Sequence, residues 1–267
     1  MRIYGRRVLI KEIPSKLLDF GKMIYFSFVQ FRKPIVLIKS YMSQTIPKEG
    51  KFDLRNGMSL FLSNNDHDGI TAMVIFCRKE YGSLNVGDVV LDIGANIGVF
   101  SIYAASHGAK KVFAFEPNLN AYNTLCKNVK ENSLEDIIFP FNLGVSDLDD
   151  KIIYLPEESS PYNISVDLPS SGQMVEVKTI SLNTIVDKIV KGRIDFCKMD
   201  CEGAEYEILY STTKDTFSKI ELIRMENHKN YEKINLVNNL AQEKFKLVHD
   251  HNLILWFEKH DNNLNVL

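Results

Sequence analysis

The chain has 267 residues, 45% of them hydrophobic and 25% charged, with a formal net charge of −2. That is enough apolar material for one substantial core with an appendage, in an ordinary globular composition. The near-neutral charge gives no general drive toward nucleic acid and no RNA- or DNA-binding motif appears, so a nucleic-acid partner is not expected. The four cysteines, Cys77, Cys126, Cys197 and Cys201, show no CxxC spacing and are read as reduced and mainly structural. No signal peptide with a cleavage site is evident, which makes a cytoplasmic location the default expectation.

The first forty residues depart from this balance. Arg2, Arg6, Arg7, Lys11, Lys16, Lys22, Arg32, Lys33 and Lys39 face only Glu12 and Asp19, and between them lies the aromatic-rich run from Leu17 to Phe31. The run is too short and too charged to span a bilayer comfortably. Its pattern suits a helix that covers the catalytic sheet or a dimer interface, the favoured reading, and it also suits a basic helix lying on an anionic membrane surface. After Pro47, the alternating residues Phe52 to Leu62 around Asn56-Gly57 predict a hairpin, and Asp68 to Tyr81 predict a helix. These pieces are assigned to an accessory region, residues 1–84, ahead of a sheet domain at 85–267.

The sheet domain opens on Val89-Val-Leu-Asp-Ile-Gly-Ala-Asn-Ile-Gly-Val-Phe100 and Val112-Phe-Ala-Phe-Glu-Pro117. The pattern is strand, Gly-containing turn, helix, then a strand that stops on a carboxylate, the opening βαβ of a nucleotide-binding sheet. A dinucleotide turn needs three glycines around a pyrophosphate; here Asn96 occupies the second glycine position. Asp92, at the carboxyl end of the first strand, would oppose a phosphate and attract a cation. S-adenosylmethionine, with a sulfonium, an ammonium and no phosphate, meets that demand. Glu116 is placed to meet ribose hydroxyls, and Pro117 stops its strand. Asp92, Gly94, Ala95, Asn96, Gly98, Glu116 and Pro117 are therefore the expected cofactor-binding residues. The blander reading of Gly94 and Gly98 is tight turning and close helix packing.

Leu119 to Asn132 predict a second helix and Ile137 to Val145 a third strand, with Pro140 hinting at an edge position. Strand-like pieces at Lys151 to Leu155 and Met174 to Thr179 flank a loop, Pro156 to Gly172, long enough to be a substrate lid. A helix at Ser181 to Val190 precedes a fourth strand, Ile194 to Met199. A helix at Glu205 to Tyr210, a fifth strand at Glu221 to Met225, a helix at Tyr231 to Phe245 and a closing antiparallel hairpin follow. Strands alternating with helices imply an α/β fold with a mostly parallel sheet and a ligand beyond the strands' carboxyl ends.

Lys198-Met-Asp-Cys-Glu-Gly-Ala-Glu205 sits where the fourth strand ends, so Asp200 and Glu202 project toward the rim that carries Asp92. Two acids at the end of an apolar strand are costly to bury; Glu205 is read as capping the next helix, Asp200 as functional. His228, after the fifth strand, is either a proton acceptor near neutral pH or an exposed turn histidine. Asp200, Glu202, Glu226 and His228 form a hard-cation site if they converge, but no metal is assigned.

Asp92-Ile-Gly-Ala-Asn-Ile-Gly98, Phe115-Glu-Pro-Asn118, Gly144-Val-Ser-Asp147 and Lys198-Met-Asp-Cys-Glu-Gly-Ala-Glu205 together resemble the FkbM family of S-adenosylmethionine-dependent methyltransferases. The resemblance covers about Phe52 to His228, and Cys201 stands where the family more often has Val. It implies a seven-stranded Rossmann-like class I methyltransferase sheet, here with an N-terminal helical and hairpin extension, and O-methylation, often of sugar or polyketide hydroxyls. It further implies that Ser146 and Asp147 lie near the adenine.

Methyl transfer is an in-line displacement, so the protein supplies alignment, exclusion of water and proton removal. Asp200 is the candidate to orient the acceptor hydroxyl and take its proton, with His228 as the competing base and Glu202 beside them. The acceptor is expected to be a small molecule or glycan, and the basic N-terminus is compatible with peripheral membrane contact. The rival readings are an NAD-type oxidoreductase, disfavoured by Asn96 and Asp92, and a non-catalytic binding module, disfavoured by the retained acids.

Overall fold

The computed structural model describes residues 2–3, 6–7, 13–63, 65–156, 174–251 and 253–260. The lid predicted at 156–172 lies outside them from residue 157 onward. The chain divides into two compact units, residues 1–80 and 81–267.

In the first unit, β1 (Arg2–Ile3) pairs antiparallel with β2 (Arg6–Arg7). Helices α1 (Ile13–Gln30) and α2 (Pro34–Ser43) follow, the second begun by a proline whose fixed φ suits a first helical turn. The hairpin of β3 (Lys51–Asp53) and β4 (Ser59–Phe61) turns at Asn56-Gly57, where Gly57 takes φ +97 and Asn56 accepts the Met58 amide at 3.1 Å. Next, α3 (Asp68–Met73) widens into a π-helical turn over Val74–Arg78. The small core is aromatic: Phe31 meets Phe52 and Phe76 edge-on with ring centroids 6.1 and 5.4 Å apart, over buried Leu37, Leu54, Leu60 and Met73.

The second unit follows a strand–helix alternation. Its elements are β5 (Val89–Ile93), α4 (Val99–Ser106), β6 (Lys111–Phe115), α5 (Leu119–Glu131) and β7 (Ile138–Phe141). Then come β8 (Gly144–Ser146), β9 (Ile152–Pro156), β10 (Met174–Ser181) and α6 (Leu182–Thr184), which runs into a π-helical segment, Ile185–Val190. The remainder is β11 (Ile194–Met199), α7 (Glu205–Ser211), α8 (Lys214–Ser218), β12 (Ile220–Glu226), α9 (Lys233–Gln242), β13 (Phe245–His251) and β14 (Ile254–Lys259).

The main sheet has seven strands in the order β13-β14-β12-β11-β5-β6-β7. Neighbours from β12 to β7 pair parallel, while β14 runs antiparallel to both β12 and β13. This is the expected mostly parallel sheet with a closing antiparallel hairpin, and β7, carrying Pro140, is its edge. Chain order reverses between β5 and β11, which makes their carboxyl ends the switch point where open α/β sheets hold ligands. Packing on the sheet is continuous through Leu91, Ile93, Phe115, Cys197, Met199, Ile223, Met225 and Phe257.

One expected element is divided. The third strand predicted at Ile137 to Val145 ends at Phe141, and Gly144–Ser146 belongs to a separate three-stranded sheet, β8-β10-β9. Asn142 explains the break, because its side-chain amide turns to the carbonyls of Glu116 and Pro117 at 2.9 and 3.0 Å.

Phe196 lies wholly buried in β11, 5.5 Å from the Phe100 ring and 5.8 Å under the Arg224 guanidinium. Phe196→Ala removes this central aromatic and is expected to cost about 3–5 kcal/mol, read as a lower midpoint in urea denaturation.

Candidate active site

At the switch point the turn after β5 is shaped by close approaches. The amides of Gly94 and Ala95 both donate to the Phe115 carbonyl at 3.0 Å. Gly94 takes φ +73, and a Cβ there would sit 1.8 Å from the Asp200 carbonyl oxygen. Asn96 also has a positive φ, +51; asparagine tolerates that region better than most residues, so it replaces the second glycine without loss of the turn. At Gly98 a Cβ would meet Leu125 Cδ1 at 2.4 Å, so this glycine admits α5. The packing role that sequence assigns to the glycines is therefore real at Gly98, whereas Gly94 shapes the floor of the site.

Glu116 ends β6 almost fully buried, and its two oxygens accept the amides of Asn96 at 2.7 Å and Asn118 at 2.8 Å. Burial pushes its carboxyl up to about 7 against those two donors. Pro117 and Asn118 then line a hollow whose other wall is Leu155, Val175 and Val177.

Asp92 is 0% exposed. Sequence expected its charge to face the donor directly, but the carboxylate accepts Ser101 Oγ at 2.7 Å and pairs with Lys198 Nζ at 3.2 Å. Lys198 comes from β11, where it lies in register with Asp92. Its ammonium also donates to the Gly94 carbonyl at 2.7 Å and stands 3.8 Å from Asp200 Oδ2. Burial disfavours that charge, yet Asp92 and Asp200 outweigh burial and hold the amine above its usual value.

Asp200 Oδ2 also accepts the Tyr81 hydroxyl at 3.0 Å. Beyond it, Glu202 adopts φ +55 and Gly203 φ +105, a tight turn that folds the chain back toward the sheet rim. Glu205, 0% exposed, caps this turn by accepting the Cys201 amide at 2.8 Å and the Gly203 amide at 2.9 Å. It does more than cap, because His228 Nδ1 lies 3.0 Å from the same carboxylate. His228 Nε2 then faces Glu202 at 3.4 Å and Glu226 at 3.9 Å. Burial works against a charged imidazole, but Glu205, Glu226 and Glu202 raise it to about 9. Burial and neighbouring Asp200 raise Glu202 to about 7.

The predicted residues thus fall into three groups. Asp92, Gly94, Ala95, Asn96, Gly98, Glu116 and Pro117 form one connected wall around the β5 and β6 ends. Asp200, Glu202 and His228 form the adjoining rim, joined to that wall by Lys198. Ser146 ends β8 of the smaller sheet and Asp147 begins the bend after it, both with local contacts, Ser146 Oγ to the Leu148 carbonyl at 3.1 Å and Asp147 to Lys151 at 2.9 Å. Asp200, Glu226 and His228 each place one potential ligand atom within 4.8 Å of the others.

Lys198, Tyr81 and the Glu205–His228 contact are new from the structure. The lysine had a visible signal, an unpaired cation inside the apolar run Ile194–Met199, which demands a buried acid.

The model of the methyltransferase FkbM domain matches residues 92–264. The chain belongs to the FkbM methyltransferase family. Among curated proteins it is similar to the tRNA (guanine(37)-N(1))-methyltransferase Trm5b of Methanocaldococcus jannaschii, 34% identical over 133 residues, 48% of this chain and 38% of that protein. It is also similar to the hexuronic acid methyltransferase AglP of Haloferax volcanii, 25% identical over 179 residues, 65% of this chain and 72% of that protein. The chain thus spans well under half of the first relative and about seven tenths of the second. Of solved structures, the METTL16 methyltransferase domain superposes over 86% of this chain and 96% of its own, with 13% identity and a TM-score of 0.46.

Membership in the FkbM family makes S-adenosylmethionine the cofactor of this domain, and the residues present fit it. The turn at Gly94 has no side chain, Glu116 offers a carboxylate at its edge, and the nearest cation, Lys198, is buried and paired. A phosphate would find no free positive charge in this set.

Two outcomes follow. Asp92→Ala strands the Lys198 ammonium in the interior and is expected to cost roughly 3–5 kcal/mol, whereas the double variant D92L/K198M recovers part of that in the same denaturation assay. The role expected of Glu116 from sequence, accepting ribose hydroxyls, favours its charged form, so adenosine affinity measured by calorimetry should rise as pH increases through about 7. Glu116→Gln should weaken binding and flatten that dependence.

Proposed function

We propose that the chain transfers a methyl group from S-adenosylmethionine to a hydroxyl of a sugar, in a polysaccharide or glycolipid. The observation that carries this reading is the acidic rim of Asp200, Glu202 and His228 beside the donor wall. Asp200 can take a proton from a polyhydroxylated acceptor, and Glu202 and His228 can hydrogen-bond to it. The similarity to the hexuronic acid methyltransferase, which extends over most of that protein, favours a sugar over a nucleobase. The tRNA methyltransferase match covers less than half of this chain.

In this reading Gly94, Ala95, Asn96 and Glu116 hold the donor, and the hollow of Pro117, Asn118, Leu155, Val175 and Val177 receives the adenine. The bound donor brings a sulfonium whose positive charge makes the thioether a good leaving group. Lys198 fixes the Gly94 carbonyl and the Asp200 carboxylate relative to each other. Tyr81 holds one oxygen of Asp200, which leaves the carboxylate to orient the acceptor hydroxyl and take its proton as the new bond forms. His228, charged until pH passes about 9, acts in this scheme as a fixed counter-charge to the acids rather than as the base.

A second reading rests on the ligand atoms of Asp200, Glu226 and His228 lying within 4.8 Å of one another. A divalent cation there would lower the hydroxyl's pKa and reduce the demand on Asp200. Turnover unchanged by EDTA would remove this reading; turnover restored by added Mg2+ and lost in Glu226→Gln would establish it.

The test is methyl transfer from labelled donor to uronic-acid glycans, with tRNA and protein acceptors as comparators. The proposal expects a gain of one methyl on a sugar hydroxyl, and labelling of tRNA or protein alone would overturn it. Asp200→Asn should lower turnover roughly 10²–10⁴-fold while donor affinity stays within about threefold; normal turnover in this variant would remove Asp200 as the base.

A further inference from the structure

We propose that α1 and α2 form a docking face for an anionic lipid surface, by which the chain associates peripherally with a membrane.

Sequence alone left this segment between a packing helix and a membrane-surface helix, and the structure separates two faces. On α1, Met23 and Ser27 are buried in the first unit, as is Phe31 just beyond it. The opposite stripe, Leu18, Lys22, Tyr25 and Val29, recurs at helical spacing and is exposed. Leu18 is 61% and Tyr25 64% accessible, values unusual for side chains with so much apolar area. On α2 the same alternation continues in Ile35, Lys39 and Met42, with Ile35 63% exposed. Each of two consecutive helices thus carries an exposed apolar stripe with a lysine set in it, Lys22 on α1 and Lys39 on α2, which is the pattern of an interfacial helix. The apolar groups enter the headgroup boundary and the lysine stems reach outward to phosphates.

Charge selects the occupant. Residues 1–48 contain ten Lys and Arg and two acids, in a chain whose net charge is −2, so the cations are concentrated at this end while the rest of the chain is acidic. Few of the exposed cations near the face are neutralised. Lys22 reaches Asp19 only at 3.9 Å with both side chains in solvent, and Lys33 pairs with Glu49 at 3.1 Å. Arg32 and Lys39 are exposed, and Arg55, also exposed, is anchored through Nε to the Phe28 carbonyl at 2.7 Å. An anionic leaflet attracts such a cluster, while a second copy would bring like charges together. None of the described helices is long and apolar enough to cross a membrane, so the contact lies in the surface plane.

The full chain should be sedimented with vesicles of phosphatidylcholine alone and of phosphatidylcholine with phosphatidylglycerol. Binding is expected only to the anionic vesicles and should fall at least about tenfold in 0.5 M NaCl. The triple variant K22E/R32E/K39E should lose at least about tenfold in vesicle affinity, and Y25S/V29S/I35S should lose binding as well. Both should keep the wild-type far-UV circular dichroism and urea-denaturation profile, which shows that they remain folded. No binding to anionic vesicles, equal binding by the charge-reversed variant, or a dimer in solution that the serine variant dissociates without any vesicle binding would each overturn the proposal.

Discussion

The buried pair of Lys198 and Asp92 is the constraint on which this site is built. Two charges taken out of water at the centre of a parallel sheet repay their desolvation only when their geometry is fixed and their remaining hydrogen bonds are met. Register between β11 and β5 supplies the geometry, Ser101 and the Gly94 carbonyl supply partners, and Asp92 Oδ1 is met by the Lys198 charge alone. The result is a crosslink at the switch point that ties the donor turn to the strand presenting Asp200. An apolar pair would hold the strands as well, but it would not hold the Gly94 carbonyl and the Asp200 carboxylate at the same time.

From that crosslink outward the site is a gradient of accessibility. Asp92 is closed to solvent, Glu116 is nearly closed, and Asp200, Glu202 and His228 are half-buried at the rim. Charge follows the same order. Asp92 is neutralised by Lys198, Glu116 is pushed toward neutral protonation by burial, and the rim acids share one protonated imidazole. In the proposed reading a cationic donor meets backbone dipoles and the Glu116 carboxyl in the interior, and the acceptor meets hydrogen-bonding side chains at the rim.

Much of this was visible in the sequence because it depends on local pattern. Apolar runs ending in an acid located β5, β6 and β11, and two glycines flanking Asn96 located the turn after β5. What the sequence hid depends on distant pairing. Tyr81 meets Asp200 across 119 positions, and Glu205 meets His228 across 23; neither separation leaves a periodic trace. The division of the third predicted strand was hidden for a related reason, since nothing near Asn142 reveals that its amide is engaged by the carbonyls of Glu116 and Pro117. Asp92 was legible as an acid at a strand end, but its partner was not: whether such an acid points to solvent or to a neighbouring strand is decided by the residue in register, here Lys198.

The absent side chain at Gly94 has a consequence for how such an enzyme can diverge. The carbonyl of Asp200 fills the volume a methyl group would need, so two segments more than a hundred residues apart occupy one shared mould. An insertion or deletion in either segment would therefore disturb both, because neither backbone can move without opening or closing the space they share.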